Sequence, residues 1–270
     1  MSTNRARSIA ARLLDPSLVD PAGHAEWKRL RPFTRQIEAS DQVLLIAGTG
    51  GAKSTLAATE TLSVSSLVAL DGKDSLYLPN ATVYELPKAP EWPKQSAMST
   101  DPGVMAYDRA IAGPLAWREG RNANRIILRP HVEDIEDFWA FDRIYRAIYQ
   151  RGHTLVWIDE ITSTGATPQR AQPYLRAITA RGRTRNIGLW TLTQAPYGLT
   201  PGILRRNATY TIFGPIEPED ASEIHRAGID IALTIPPKSG RFIVYASGEM
   251  GMPCRLYVPI PTALTGWRAP

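Results

Sequence analysis

Directly behind the apolar run Val43-Leu44-Leu45-Ile46, the chain reads Ala47-Gly48-Thr49-Gly50-Gly51-Ala52-Lys53-Ser54-Thr55. A strand that ends in glycines can turn tightly enough to point successive backbone N–H groups inward, and the following helix adds its positive N-terminal end. Such a loop binds nucleotide phosphates, with Lys53 reaching the β- and γ-phosphates and Ser54 holding Mg²⁺. The pattern predicts an ATP site formed by Gly48, Thr49, Gly50, Gly51, Ala52, Lys53, Ser54 and Thr55.

This loop departs from the usual pattern G-x-x-x-x-G-K-[ST] at two positions. Both fixed glycines are replaced by alanine, at Ala47 and Ala52. A methyl group at residue 52 disfavours the turn if that residue needs a positive φ. The alternative interpretation is therefore a glycine-rich strand-to-helix turn that contains a lysine by chance.

A second apolar strand, 154–158, is followed by two adjacent carboxylates, Asp159 and Glu160. Ligands of open parallel sheets bind at the carboxyl ends of the strands, where the predicted phosphate loop also lies. We expect Asp159 to hold Mg²⁺ through water together with Ser54, and Glu160 to polarise the water that attacks the γ-phosphate. The alternative is an ordinary strand that ends in solvated acids.

A third apolar strand, 187–193, ends in Thr193 and is followed by Gln194. A neutral amide there can interact with the γ-phosphate without competing for the metal. Taken alone, this is also consistent with a plain strand-to-turn transition. Strand ends carrying Lys-Ser, Asp-Glu and Thr-Gln in this order predict a P-loop domain that hydrolyses nucleoside triphosphates, with Lys53, Glu160 and Gln194 as catalytic residues.

The alternation of strands and helices predicts an α/β fold of the P-loop NTPase type: a central, mainly parallel sheet flanked by helices, with a C-terminal β-hairpin. Residues 1–40 are expected to form an N-terminal arm with a short helix, and 41–270 a single domain. Residues 74–125 are interpreted as loops or a small insertion. Strands are expected at 42–47, 66–70, 125–128, 154–158, 187–193 and 210–213, helices at 53–62, 138–148, 168–181 and 218–227, and the hairpin at 241–245 and 254–258.

Composition narrows the class of protein. Hydrophobic residues make up 43% and charged residues 21% of the 270 residues, as in ordinary globular chains. No apolar run approaches the roughly 18 residues of a membrane span, so we expect no integral membrane segment. The single cysteine, Cys254, excludes an internal disulfide framework and suits a reducing compartment. A net charge of +5 is compatible with a polyanionic partner.

The motifs resemble those of the HerA/FtsK superfamily of ring-forming, DNA-pumping ATPases. The similarity rests on Gly-Thr-Gly-Gly-Ala-Lys-Ser at 48–54, Leu-Asp-Gly-Lys at 70–73, Trp-Ile-Asp-Glu at 157–160 and Leu-Thr-Gln-Ala-Pro at 192–196. The segment 199–208 is similar to the family's region beyond the glutamine. Among the members of the superfamily, the small size is most similar to that of the viral genome-packaging ATPases.

The resemblance implies a RecA/FtsK-like motor that forms a homohexameric ring around double-stranded DNA. It implies a location in the host cytoplasm or on the virion, and capsid vertex or portal proteins as partners. It also implies an arginine that faces the neighbouring subunit's ATP site; the candidates are Arg181, Arg183 and Arg185, with Arg183 the first choice. The alternatives are plasmid or conjugative DNA transfer by the same motor, and a nucleotide-binding scaffold that hydrolyses little.

DNA contacts leave no motif in such a motor. A translocating ring needs backbone contacts that ignore base sequence, so basic residues on loops suffice. The candidates are Lys73, Lys88, Lys94, Arg205 and Arg206.

Overall fold

A computed structural model describes residues 41–216, apart from 63, 95–98, 121–122 and 195–196. It also describes residue 224 and the strand segments 14–19, 28–30, 241–246 and 254–257.

One mixed sheet organises the described residues, in the order β1-β2-β11-β10-β9-β3-β8-β7-β4-β6-β5. The seven strands from β9 to β5 run parallel, and β10 and β11 add an antiparallel pair beside β9. The strands are β1 (Leu14–Val19), β2 (Lys28–Leu30), β3 (Gln42–Ile46), β4 (Ser66–Leu70), β5 (Thr82–Glu85), β6 (Asn124–Arg129), β7 (Thr154–Ile158), β8 (Ile187–Thr193), β9 (Tyr210–Phe213), β10 (Arg241–Ala246) and β11 (Cys254–Tyr257).

Helices cover both faces of the parallel part of the sheet. They are α1 (Lys53–Glu60), α2 (Pro102–Leu115), α3 (Phe138–Arg151), α4 (Pro173–Arg181) and α5 (Gly202–Asn207). Successive side chains of a strand point to opposite faces. On β4, Leu67 and Ala69 therefore pack in the core that contains α1, whereas Val68 and Leu70 pack in the core formed with α2, α3 and α4. Burial on both faces explains why these strands are apolar throughout.

The predicted fold class is confirmed, including the C-terminal hairpin of β10 and β11. The predicted parallel strands lie within one residue of their expected bounds at each end. Helix α4 begins at Pro173 rather than near residue 168, since the chain first passes through a loop after the short 3₁₀ helix Ile161–Thr164. The predicted helix at 218–227 lies outside the described residues except for Ile224, which is buried.

The interpretation of 74–125 as loops is wrong for residues 102–115, which form α2. Asp101 caps this helix by accepting a hydrogen bond from the Val104 N–H (3.0 Å), and Pro102 occupies its first turn. These are favourable residues for a helix start. Part of the same region, β5, forms one edge of the sheet.

Two strands lie within the predicted N-terminal arm. Strand β1 pairs with β2 antiparallel, and β2 pairs with β11 in parallel through Arg29 and Tyr257. The short helix expected in residues 1–40 is not found at these two segments, and the rest of the arm lies outside the described residues. In the part of the chain that the structure describes, no helix has the length and apolar character needed to cross a membrane.

Candidate nucleotide-binding site

The three predicted strand ends lie side by side. Strand β3 pairs in parallel with β8, and β8 pairs in parallel with β7. The phosphate loop after β3, Gln194 after β8 and the pair Asp159-Glu160 after β7 therefore share the carboxyl edge of the sheet. Open parallel sheets bind their ligands at this edge.

The phosphate loop has two residues with positive φ, Gly50 (72°) and Ala52 (62°). Gly51 is required for a different reason: a Cβ at this residue would lie 2.8 Å from the Ala47 Cβ and 2.9 Å from the Gly48 carbonyl oxygen. Helix α1 follows without a side-chain cap at Ala52. Its first N–H groups can therefore bind phosphate oxygens.

Lys53, the first residue of α1, turns back over the loop. Its Nζ donates hydrogen bonds to the carbonyl oxygens of Ala47 (2.6 Å) and Gly48 (3.0 Å). An ammonium has three N–H donors, and the third has no partner among the described residues. Burial lowers the pKa of Lys53 from 10.5 to about 8, although the charges of Glu160 and Asp159 oppose the shift.

Ser54 and Asp159 contact each other directly. The Ser54 hydroxyl donates to Asp159 Oδ1 (2.9 Å). Burial raises the pKa of Asp159, and the hydrogen bond from Ser54 partly offsets this effect. A hydroxyl and a carboxylate are the oxygen ligands that Mg²⁺ prefers, and the metal keeps several waters when only one or two protein groups bind it. The residues present thus fit a magnesium ion.

Glu160 is buried and held at both carboxylate oxygens. Oε1 accepts hydrogen bonds from the hydroxyls of Thr193 (2.9 Å) and Thr162 (3.0 Å), and Oε2 accepts one from the backbone N–H of Gln194 (3.0 Å). Lys73 Nζ lies 3.6 Å from Oε2. The carboxylate is therefore fixed beside Gln194.

The Gln194 side chain joins this group to the phosphate loop. Its Oε1 accepts a hydrogen bond from the Thr49 hydroxyl (2.9 Å). The phosphate loop, Glu160 and Gln194 thus form one hydrogen-bonded unit.

No individual role at this site was predicted for Asp71, Lys73, Arg129 or Thr193. Asp71 and Lys73 belong to the 70–73 motif and Thr193 to the Thr-Gln strand end, and Lys73 was predicted as a DNA contact. Asp71 is buried, and Arg129 Nε donates to its Oδ2 (3.1 Å). Their positions in the sequence could have indicated such a role. Asp71 directly follows the apolar strand β4, and Arg129 is the last residue of the apolar strand β6. Their proximity to the site depends on the strand order, in which β4 lies beside β7.

The three candidate arginines lie away from the phosphate loop of their own chain. Arg183 Nη2 donates to Thr209 Oγ1 (2.6 Å) and lies 3.5 Å from Asp41 Oδ1. Asp41 and Thr209 precede β3 and β9, so Arg183 lies at the amino edge of the sheet. Its role at a neighbour's site stays a prediction.

Arg185 and Arg181 have different surroundings from Arg183. Arg185 donates to the carbonyl oxygens of Tyr149 (2.7 Å) and Gln150 (2.9 Å), so it caps the end of α3. The exposed Arg181 side chain has no hydrogen bond or ion pair with the described residues.

The predicted DNA-contact residues do not converge on one surface element. Lys88 forms an ion pair with Glu133, and the Arg205 guanidinium lies over the Tyr197 ring at 5.0 Å. Lys94 and Arg206 are exposed. Only Lys73 contacts a predicted catalytic residue.

The parallel sheet and the phosphate loop define a P-loop NTPase fold. The acid pair and the glutamine follow adjacent strands of this sheet. No protein-family model and no curated protein matches the chain. Among solved structures, it is similar to the genome-packaging NTPase B204 of Sulfolobus turreted icosahedral virus 2 in complex with ATPγS. The two are 18% identical over 83% of this chain and 100% of B204, with a TM-score of 0.57.

Two further solved structures share the fold. The bacterial conjugative coupling protein TrwB, solved with sulfate, is 12% identical over 95% of this chain and 92% of its own, with a TM-score of 0.56. VirB4 of Thermoanaerobacter pseudethanolicus is 13% identical over 92% of this chain and 99% of the VirB4 chain, with a TM-score of 0.51. The three similarities show that this chain shares the P-loop ATPase fold of these structures.

Proposed function

We propose that this chain is an ATP-driven double-stranded DNA translocase that packages a viral genome. The observation that carries the proposal is the connected group at the carboxyl edge of the sheet. Ser54 contacts Asp159 there, and Glu160 and Gln194 are joined to each other and to Thr49. Such a group suits the hydrolysis of a γ-phosphate.

Each residue has a role set by its surroundings. The N–H groups at the start of α1 and the Lys53 ammonium bind phosphate oxygens. Ser54 and Asp159 would hold Mg²⁺, which neutralises phosphate charge when bound. Glu160 orients the attacking water and accepts its proton, and the Gln194 amide interacts with the γ-phosphate.

The choice of DNA packaging rests on the fold and the charge. B204, described as a genome-packaging NTPase, is covered over its whole length. The net charge of +5 suits a polyanion. The proposal includes a homohexameric ring with Arg183 at the neighbouring site, capsid vertex or portal proteins as partners, and a location in the host cytoplasm or on the virion.

Conjugative or plasmid DNA transfer is the second candidate. The similarity to TrwB, a conjugative coupling protein, over 95% of this chain favours it. Both candidates require DNA-dependent ATP hydrolysis. A nucleotide-binding scaffold requires none, and the positive φ of Ala52 is the observation that favours such a scaffold.

Steady-state ATP hydrolysis with and without linear double-stranded DNA tests the proposal. We expect DNA to raise the wild-type rate, and Lys53→Ala to abolish turnover because it removes the ammonium that binds the phosphates. Glu160→Gln should still bind ATP but lower kcat by about 10²- to 10⁴-fold, since the general base is lost.

Arg109→Met is the control variant, because Arg109 is exposed on α2 and its Nε donates to the Met105 carbonyl of the same helix, with no ion pair to any other described residue. It should behave as the wild type. Wild-type hydrolysis by Lys53→Ala would refute the assignment of the site, and a wild-type rate that ignores DNA of every length would favour the scaffold.

A further inference from the structure

The loop after β4 is built around one buried carboxylate. Asp71 accepts hydrogen bonds from the backbone N–H groups of Lys73 (3.2 Å), Ser75 (3.3 Å) and Leu76 (2.9 Å). Its side chain is fully buried. These bonds fix the backbone of Lys73, so that its position at the edge of the sheet is set by the loop.

Arg129 holds this loop from the side opposite β7. Its guanidinium pairs with Asp71 (3.1 Å) and with Glu85 of the edge strand β5 (3.2 Å). Strand β6, which carries Arg129, lies beside β4 in the sheet. The loop is therefore anchored through Arg129 to β6 and β5, on the side of β4 that faces away from β7.

Lys73 lies between the solvent and the buried carboxylate of Glu160. Its Nζ lies 3.6 Å from Glu160 Oε2, and the side chains are 38% and 7% exposed, respectively. The other groups bonded to Glu160 are hydroxyls and backbone N–H groups. Two positive charges act on Glu160: the Lys53 ammonium inside the site, and Lys73, which forms the ion pair. Lys73 is the one of the two that an external anion can reach, because its side chain is 38% exposed whereas Lys53 is buried.

We propose that Lys73 is a positioning residue that couples DNA binding to hydrolysis. In the absence of DNA its ammonium restrains the position of the Glu160 carboxylate relative to the attacking water. A DNA phosphate that binds Lys73 draws the ammonium away and frees the carboxylate. This inference rests on the proposed function. It adds that the predicted contact of Lys73 with DNA regulates ATP hydrolysis.

The energies allow such an exchange. An ion pair with a partly exposed lysine contributes roughly 0.2–1 kcal/mol. DNA phosphates attract lysines through the release of condensed counterions, and this attraction falls as salt rises. The Lys73–Glu160 ion pair is weak, and DNA phosphates attract lysine strongly. DNA can therefore replace Glu160 as the partner of the Lys73 ammonium.

Hydrolysis by Lys73→Met, with and without linear double-stranded DNA, tests the inference. We expect the rate without DNA to rise about two- to five-fold, which corresponds to the loss of one partly exposed ion pair. The KM for ATP should stay unchanged, and DNA should add little further stimulation. Lys73→Arg should keep both the low basal rate and the DNA response, since it preserves the charge.

Arg109→Met again serves as the matched control for the loss of one positive charge. Wild-type basal rate and full DNA stimulation in Lys73→Met would overturn the inference, as would an equal loss of both rates. These outcomes differ from a failure of the proposed function, in which the wild type itself shows no hydrolysis or no response to DNA. Thermal unfolding midpoints equal to the wild-type value show that each variant is folded.

Discussion

At the scale of single residues, the two alanines of the phosphate loop have different consequences. The Ala47 methyl group fills space left by two glycines, because a Cβ on Gly51 or on Gly214 would lie 2.8 or 2.6 Å from it. The loop can thus accommodate the Ala47 methyl group because Gly51 and Gly214 have no side chains. Ala52, in contrast, adopts the left-handed conformation that glycine favours.

Ala52→Gly should therefore improve the site. Removing the Cβ relieves a backbone cost of about 1 kcal/mol, and we expect ATP to bind up to about five-fold more tightly as the loop becomes easier to form. Titration with a fluorescent ATP analogue measures this. Ala58→Gly, in the interior of α1, is the control, and it should destabilise the protein by about 1 kcal/mol. Weaker binding by Ala52→Gly would contradict a strained loop.

The lowered pKa of Lys53 makes nucleotide binding depend on pH. Its ammonium is charged below pH about 8, so ATP affinity should fall as the pH rises through this value. Between about 8 and 10.5 the unfolded chain binds a proton that the folded chain does not. The contribution of Lys53 to the free energy of unfolding without nucleotide therefore rises with pH across the same window.

ATP titrations and denaturant unfolding across this pH range check both trends. In Lys53→Met the part of each trend that comes from this residue should disappear. An ATP affinity that is constant through pH 8 in the wild type would show that Lys53 keeps an ordinary pKa.

At the scale of elements, buried parallel strands could be predicted because burial on both faces leaves a continuous apolar run. Strands β4, β7, β8 and β9 have the expected bounds. Helix α2 was missed because several prolines stand before it and Pro114 lies within it. Its Asp101-Pro102 start was a usable signal, since an N-cap aspartate followed by proline favours a helix.

The contacts between elements could be predicted only in part. Chain order places Lys53, Asp159, Glu160 and Gln194 at strand ends, and the shared edge of a parallel sheet brings them together. The strand order itself, with β4 beside β7, does not follow from chain order. The contact of Lys73 with Glu160 and the anchoring of Asp71 by Arg129 depend on that order.

At the scale of the whole molecule, the residues with proposed roles in hydrolysis lie on opposite edges of one sheet. The phosphate loop and the acid pair lie at the carboxyl edge, whereas Arg183 lies at the amino edge beside Asp41 and Thr209. In the proposed ring, each subunit would present its ATP site to one neighbour and its arginine to the other. Hydrolysis at one site would then depend on contact between subunits.

Displacement of a triplex-forming strand from linear double-stranded DNA tests the central claim most directly. A motor that moves along the duplex removes the third strand without any change in the duplex itself. We expect the wild type to displace it when ATP is added, and Glu160→Gln, which binds ATP without hydrolysing it, to leave it in place. Hydrolysis of ATP by the wild type on this substrate without displacement of the third strand would contradict the account of the chain as a DNA translocase.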